Sequence, residues 1–319
     1  MKIVYNGEMD ERQGKAVLGE TIPAILESDP DAIYLDADLM SCIGTLKYGQ
    51  QHKDRAIDCG IAEANMAGVA AGLAMAGFKP IIHSFGIFAS RRCFDQIFLS
   101  GGYAKNDITV LGSDPGVTAA MNGGTHMPFE DVALYRVIPG STVLEPSDPT
   151  CLISLLKQCV NHPGIKYLRV GRKSMARIYA DGSELPIGKA TVLRDGTDAV
   201  IFAAGIMVHE ALQAAASLEK QGISAAVVDC YSIKPLDAEI VIAMAKKTGA
   251  AVVAENANRH GGLYSAVLEV LAENCPVPAA NVSVEDEFGE VGTQGYLQQR
   301  FGLTAEHIEA QVKAVIARK

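Results

Sequence analysis

The sequence predicts an α/β protein of two doubly wound domains, and three observations carry that reading. Short apolar runs such as "AIYLDAD", "DITVLGSD" and "GAAVVAEN" lack the period-two alternation of half-exposed strands, as strands covered on both faces do. Helical stretches separate these runs, which is the rhythm of a parallel sheet. That rhythm pauses in the glycine- and proline-bearing stretch "KSMARIYADGSELPIG" and then begins again. Two domains are therefore expected, 1–175 and 190–319, joined by a linker over 176–189. A length of 319 residues, 49% hydrophobic and 20% charged, leaves core enough for both.

Taken in order, residues 10–28 read as a helix capped by Asp10 and stopped by "SDPD", followed by a buried strand at 32–38. A helix is expected from Gly60 to Ala76, then a strand over "KPIIHS" and a continuous helix through "FASRRCFDQIFLS". The strand of "DITVLGSD", a glycine-rich loop around "MNGGTHMP" and the segment "STVLEPSD" complete the first domain's main elements. In the second domain "DAVIFAAG", "ISAAVVDC" and "GAAVVAEN" are strands that each feed a helix.

A net charge of -9 and a pI near 5.3, with no cluster of Lys and Arg, leave no footprint for a polyanion. Nucleic acid is not an expected partner. The opening "MKIVYNGEMDERQ" has no basic start followed by an apolar run, and no apolar stretch reaches the roughly 18 residues of a membrane span. No membrane partner is expected, and a cytoplasmic protein is. The seven cysteines form no C-x-x-C pair and read as reduced packing residues.

The helix beginning near Gly60 raises a chemical question. Gly68, Ala70, Ala71, Gly72, Ala74 and Ala76 fill little space, and glycine inside a helix costs up to about 1 kcal/mol relative to alanine. Such a helix lets another backbone come close, which suits a subunit interface as well as a core. In its first turn stands one carboxylate, Glu63. Alone, it would complement the positive end of the helix dipole. A carboxyl that must instead hold a proton near neutrality needs an apolar setting, and "GIAEANMAGVAAG" supplies no cation.

Four segments, "IDCGIAEANMAGVAAGLAMAGFKPII", "SFGIFASRRCFDQI", "GGTHMPFEDVALYRVIPGSTVLEPSD" and "YLRVGR", resemble in order and spacing the pyrimidine-binding domain of transketolases. From Asp198 onward, including "NRHGGLYSAVLEVL" and "DEFGEVGTQGYLQQRFGLT", the chain is similar to the family's carboxy-terminal domain. The resemblance implies thiamine-diphosphate-dependent transfer of a two-carbon ketol unit from a ketose, phosphorylated or sulfonated, to an aldose phosphate. It also implies roles for single residues. Glu63 would donate a hydrogen bond or proton to the cofactor's aminopyrimidine, and Phe85 and Phe88 would stack on that ring. Taken singly, the two rings read equally well as core aromatics at helical spacing. His126 would donate to a substrate oxygen as it becomes an alkoxide. Arg12, Arg172 and, allowing a slip of one position, Ser41 would hold the terminal anion of the acceptor. Two positions depart from the family pattern. Arg91 replaces a third aromatic, either thinning the stack or facing substrate, and Asn122 replaces an aspartate that reads a substrate hydroxyl. Arg92 and Asp95 are expected to form a structural ion pair near a subunit contact.

The Gly-Asp-Gly segment and paired asparagines with which thiamine-diphosphate enzymes hold the diphosphate and magnesium do not occur in this chain. The resemblance therefore implies the carboxy-terminal subunit of a split transketolase. Thiamine diphosphate and magnesium would be completed by an amino-terminal, diphosphate-binding partner, two copies of each chain forming a heterotetramer, with no metal ligand from this one. The β subunit of a two-oxoacid dehydrogenase and a deoxyxylulose-phosphate synthase fragment share part of the pattern. The loop "GGTHMPFEDVALYRVIPG" argues against the first, and the synthase normally comes as one longer chain. A non-enzymatic nucleotide- or flavin-binding module would need a Gly-x-Gly-x-x-Gly turn after the first strand, and "YLDADLMSCIG" has none.

Overall fold

The computed structural model describes all 319 residues. Its larger sheet has seven strands, in the order Ser232–Lys234, Thr142–Leu144, Ile165–Val170, Ile108–Ser113, Lys79–Phe85, Ala32–Asp36 and Ala56–Asp58. All are parallel except Ser232–Lys234, which pairs antiparallel with Thr142–Leu144. Every residue of Ala32–Asp36, Ile108–Ser113 and Ile165–Val170 is buried, which is why these runs carry no alternation. The second sheet runs Ala279–Val284, Ala251–Asn258, Ala199–Ala203, Ala225–Asp229 and Thr191–Arg194, with only the last antiparallel. The expected pair of doubly wound sheets is thus present.

The two halves are interlocked. Ser232–Lys234 lies far beyond the other strands of the larger sheet in sequence yet closes its edge, and Lys234 Nζ donates to Arg136 O at 2.8 Å and Ile138 O at 2.6 Å. Both apolar cores, of 55 and 36 buried residues, draw on both halves of the chain. Between the halves, Ile178, Tyr179 and Leu185 are fully buried, so residues 176–189 form a packed strap. No helix is long and apolar enough to cross a membrane.

Local expectations need correction in three places. Residues Met9–Gln13 form a strand antiparallel to Ser174–Ala176, and the helix starts only at Gly14. Asp10 therefore caps nothing; its buried carboxylate accepts from the Arg12 backbone and guanidinium instead. Gly14 meets the chain at Gly171, where an added Cβ would lie 1.8 Å from the carbonyl oxygen. The helix expected from Gly60 spans Glu63–Met75, because Gly60 sits at φ +68° outside it. The continuous helix expected over 88–100 is broken at Cys93 into Gly86–Arg91, Phe94–Gln96 and a π-helical turn, Ile97–Tyr103. That wide turn places Gly101 and Gly102 against Ile165 and Ile138, where a Cβ would come within 2.7 Å and 2.9 Å.

Candidate active site

In the larger sheet the connections leave Ala32–Asp36 toward one edge and Lys79–Phe85 toward the other. The carboxyl ends of these two strands flank the crevice where doubly wound sheets bind ligands. Alternation along Lys79–Phe85 sends Ser84 and its neighbours His83 and Phe85 to opposite faces. Ser84 Oγ donates to Glu63 Oε1 at 3.0 Å. Glu63, the first residue of its helix, is 3% exposed.

The expectation that Glu63 has no cation nearby is overturned. Arg92 Nη1 lies 3.3 Å from Oε1 and 3.4 Å from Oε2, and its guanidinium covers the Phe88 ring at 3.7 Å. The sequence around Glu63 could not show this, because the cation comes from the following helix. Arg92 pairs with Glu63 and not with Asp95, since the break at Cys93 separates their turns. Burial, reinforced by the Glu63 charge, pushes the nearby Cys93 thiol up to about 12, so it stays a neutral packing group.

Phe85, Phe88 and His126 come together. Their ring centroids lie 6.3 Å apart for the two phenyl rings, and 5.7 Å and 5.1 Å from His126 to Phe85 and Phe88, all edge to face. His126 Nδ1 is 3.0 Å from Thr125 Oγ1, which leaves its other nitrogen without a protein partner. Arg172 closes another side: its guanidinium stands 5.2 Å from the Phe85 ring, Nε donates to Asp114 Oδ1 at 2.8 Å and Nη1 reaches Cys42 O at 3.5 Å. Ser41, beside Cys42, is exposed in the same turn, and Asn122 is exposed at the end of the 3-10 segment Gly116–Asn122.

Two residues stand apart. Arg91 turns from the ring cluster toward Glu130, at 3.2 Å, and lines a cavity of about 350 Å³ with Gly124, Asn258, Asp286 and Gly289. Arg12 is held by Asp10 at 2.9 Å and Asp181 at 2.8 Å, and borders a separate cavity of about 740 Å³ with Lys157, Gln158 and Glu184. None of the other site residues borders that cavity. Beneath the crevice lies a polar chain that sequence reasoning missed. Asp36 Oδ2 is 2.7 Å from His83 Nδ1, and His83 Nε2 is 3.0 Å from Ser113 Oγ, all fully buried. The polar ends of three otherwise apolar strands were its only signal.

A buried acid with a hydroxyl donor, two aromatic rings and an imidazole at their edges fits an aromatic heterocycle with a basic ring nitrogen. No group of three His, Cys, Asp or Glu side chains that could hold a metal ion is present. Fold and crevice together define the class: a doubly wound α/β protein with room for an aromatic heterocycle at the switch point of its larger sheet.

Comparison with known proteins places it further. Residues 11–177 match the transketolase pyrimidine binding domain, and residues 188–308 the transketolase C-terminal domain. The chain belongs to the transketolase family. It is 50% identical over 293 residues to the 6-deoxy-6-sulfo-D-fructose transketolase subunit SqwH of a Clostridium species, covering 92% of this chain and 91% of that protein. It is 34% identical to one of the subunits of the apulose-4-phosphate transketolase of Phocaeicola vulgatus, covering 91% and 93% of the two chains. Among solved structures, a split gene transketolase described as an inactive β4 tetramer superposes with a TM-score of 0.89 at 36% identity, covering 96% of this chain and 98% of that one.

Proposed function

We propose that this chain is the pyrimidine-side subunit of a transketolase made from two polypeptides, and that the ketose it serves carries a terminal sulfonate or phosphate. The single observation that carries the reading is the buried Glu63 carboxyl, linked through the Arg92 guanidinium to the Phe88 ring, which meets Phe85 and His126 edge to face. Thiamine diphosphate, when bound, supplies the carbon nucleophile that no side chain here provides. Glu63 would share a proton with the pyrimidine nitrogen, held in place by Ser84 and by the Arg92 guanidinium that covers the Phe88 ring. Phe85 and Phe88 offer aromatic contact, and His126 donates a hydrogen bond where oxygen gains negative charge. Arg172, oriented by Asp114, faces the anionic end of the substrate from beside the turn that carries Ser41. Asn122 reads a hydroxyl, while Arg91, clamped to Glu130, bears on the substrate's outer part. Arg12 contributes to anion binding only by loosening two carboxylate pairs.

In the same reading residues 1–175 form the pyrimidine-binding domain, 176–189 the linker and 190–319 the carboxy-terminal domain. An amino-terminal partner in a heterotetramer completes the diphosphate and magnesium sites, and the enzyme works in the cytosol. The 50% identity to the sulfo-fructose transketolase subunit supports a sulfonated ketose as donor. Co-purification with the cognate diphosphate-binding chain, followed by assay of sulfo-fructose and fructose 6-phosphate as donors, tests this. Magnesium-dependent ketol transfer is expected from the pair and none from this chain alone. Ketol transfer by the chain alone would overturn the split reading, and consumption of two-oxoacids without ketol transfer would overturn the reaction.

A further inference from the structure

The second sheet has a ligand crevice of its own by topology. Its connections diverge between Ala199–Ala203 and Ala251–Asn258, and doubly wound sheets hold ligands at the carboxyl ends of such strands. Here the first half of the chain fills that place. Glu145 lies so close to Gly205 that an added Cβ would be 2.3 Å from its carboxylate. Arg169 Nη2 donates to Asn256 O at 3.0 Å and to Pro128 O at 3.1 Å.

Asn256, fully buried at the end of the strand Ala251–Asn258, reaches across the seam. Its Oδ1 accepts the Val117 N–H at 2.9 Å and its Nδ2 donates to Pro115 O at 2.8 Å. Two residues on, the Asn258 N–H donates to Phe129 O at 2.9 Å. One strand thus pins both ends of the arc 115–129, and between the pins stand Asn122 and His126. The arc needs holding. Gly116 has φ +51°, with no room for a Cβ against Asn256, and Ala120 sits at φ +49°, ψ -117°, a region non-glycine residues rarely adopt.

We infer that Asn256 is a positioning residue for ketol transfer: through its amide, the second domain fixes the arc that aims His126 and Asn122. The inference rests on the proposed reading in which His126 faces the substrate. A reacting group displaced by about 1 Å costs on the order of a hundredfold in rate.

Asn256→Asp tests it in the reconstituted two-chain enzyme. The variant keeps an acceptor for the Val117 N–H but sets a second oxygen against Pro115 O, which repels it when ionised and can donate to it only when protonated. With fold checked by circular dichroism and assembly by gel filtration, kcat at pH 8 should fall about 10- to 100-fold, with KM changing less. Relative to the native enzyme at the same pH, part of that loss should return as the pH is lowered toward 6. Asn256→Ala should show a loss with no such recovery. Unchanged kcat in both folded, assembled variants overturns the inference, as does a loss that only follows the unfolded fraction. Full turnover in His126→Ala would instead remove the reading of the site and this inference with it.

Discussion

Glu63 is an acid in a place where an unused acid would be selected only with difficulty: 3% exposed, at the start of a helix built from small residues. Its partners are a hydroxyl, Ser84, and a guanidinium, Arg92, which itself lies on the Phe88 ring. In the proposed reading, removing the side chain takes away the proton donor, at the structural cost of leaving the Ser84 hydroxyl and the Arg92 guanidinium without this partner. Glu63→Ala should therefore lower kcat of the assembled enzyme by roughly a hundredfold to ten-thousandfold while the subunit keeps its circular dichroism spectrum. Native turnover in that variant would end the assignment. Asn122 offers a finer test, because its side chain is exposed at the end of Gly116–Asn122 and free to meet substrate. An amide both donates and accepts, whereas a carboxylate only accepts. Asn122→Asp should reorder the kcat/KM values of substrates epimeric at the hydroxyl next to the carbonyl. An unchanged ranking across such a panel would show that Asn122 does not read it.

At the scale of elements, legibility followed burial and chain distance. Ala32–Asp36, Ile108–Ser113 and Ala199–Ala203 could be read because every residue in them is buried. Ser174–Ala176 and Ser232–Lys234 are three residues long and gain their strand character from partners far away in sequence, so no local pattern announces them. Asp10 misled for the same reason: strand pairing with residues near 175 overrode its capping preference. The site divided similarly. Glu63, Phe85, Phe88 and His126 could be named as candidates through the family resemblance, and the last three do lie together, whereas the Arg92 pairing and the pins on the arc 115–129 depend on folded contacts. Two glycines now separate packing within the chain from packing between chains. An added Cβ at Gly72 meets nothing within 4 Å, whereas one at Gly14 would strike Gly171. Nearby Ile61 and Met75 are 73% and 78% exposed, so this face has apolar surface left to cover. Gly72→Phe should leave the isolated subunit's Tm close to native yet prevent assembly with the partner, read by gel filtration. Gly14→Ala should lower the Tm of the isolated subunit itself. Normal assembly of Gly72→Phe would exclude this helix from the interface.

At the scale of the whole molecule, the two halves meet over buried acids. Asp229, at the end of a second-sheet strand, accepts hydrogen bonds from Ser147 of the first half and from Tyr179 of the strap, at 2.8 Å for the latter. Its other oxygen is buried without a partner, so ionisation there is poorly compensated. Burial pushes the Asp229 carboxyl up to about 7, and does the same to Glu255 against two backbone donors, the amides of Tyr264 and Leu263. Both lie above the values of about 4 expected for an unfolded chain. Between roughly pH 4 and 7 the folded chain thus holds protons that the unfolded chain releases. Stability from these groups is complete below that window, declines as pH rises through it and levels off above. His162 and His209, lowered by burial, act in the opposite sense just below their ordinary value. The readout is therefore the difference between native protein and Asp229→Asn, which keeps an acceptor for Ser147 and Tyr179 but cannot ionise. The variant's Tm relative to native should rise by a few degrees between pH 5 and pH 8, as a stability difference on the order of 2 kcal/mol requires in a protein of this size. Parallel melting curves across that range would mean that the carboxyl at the seam keeps one protonation state throughout, and that the junction between the halves does not sense pH through Asp229.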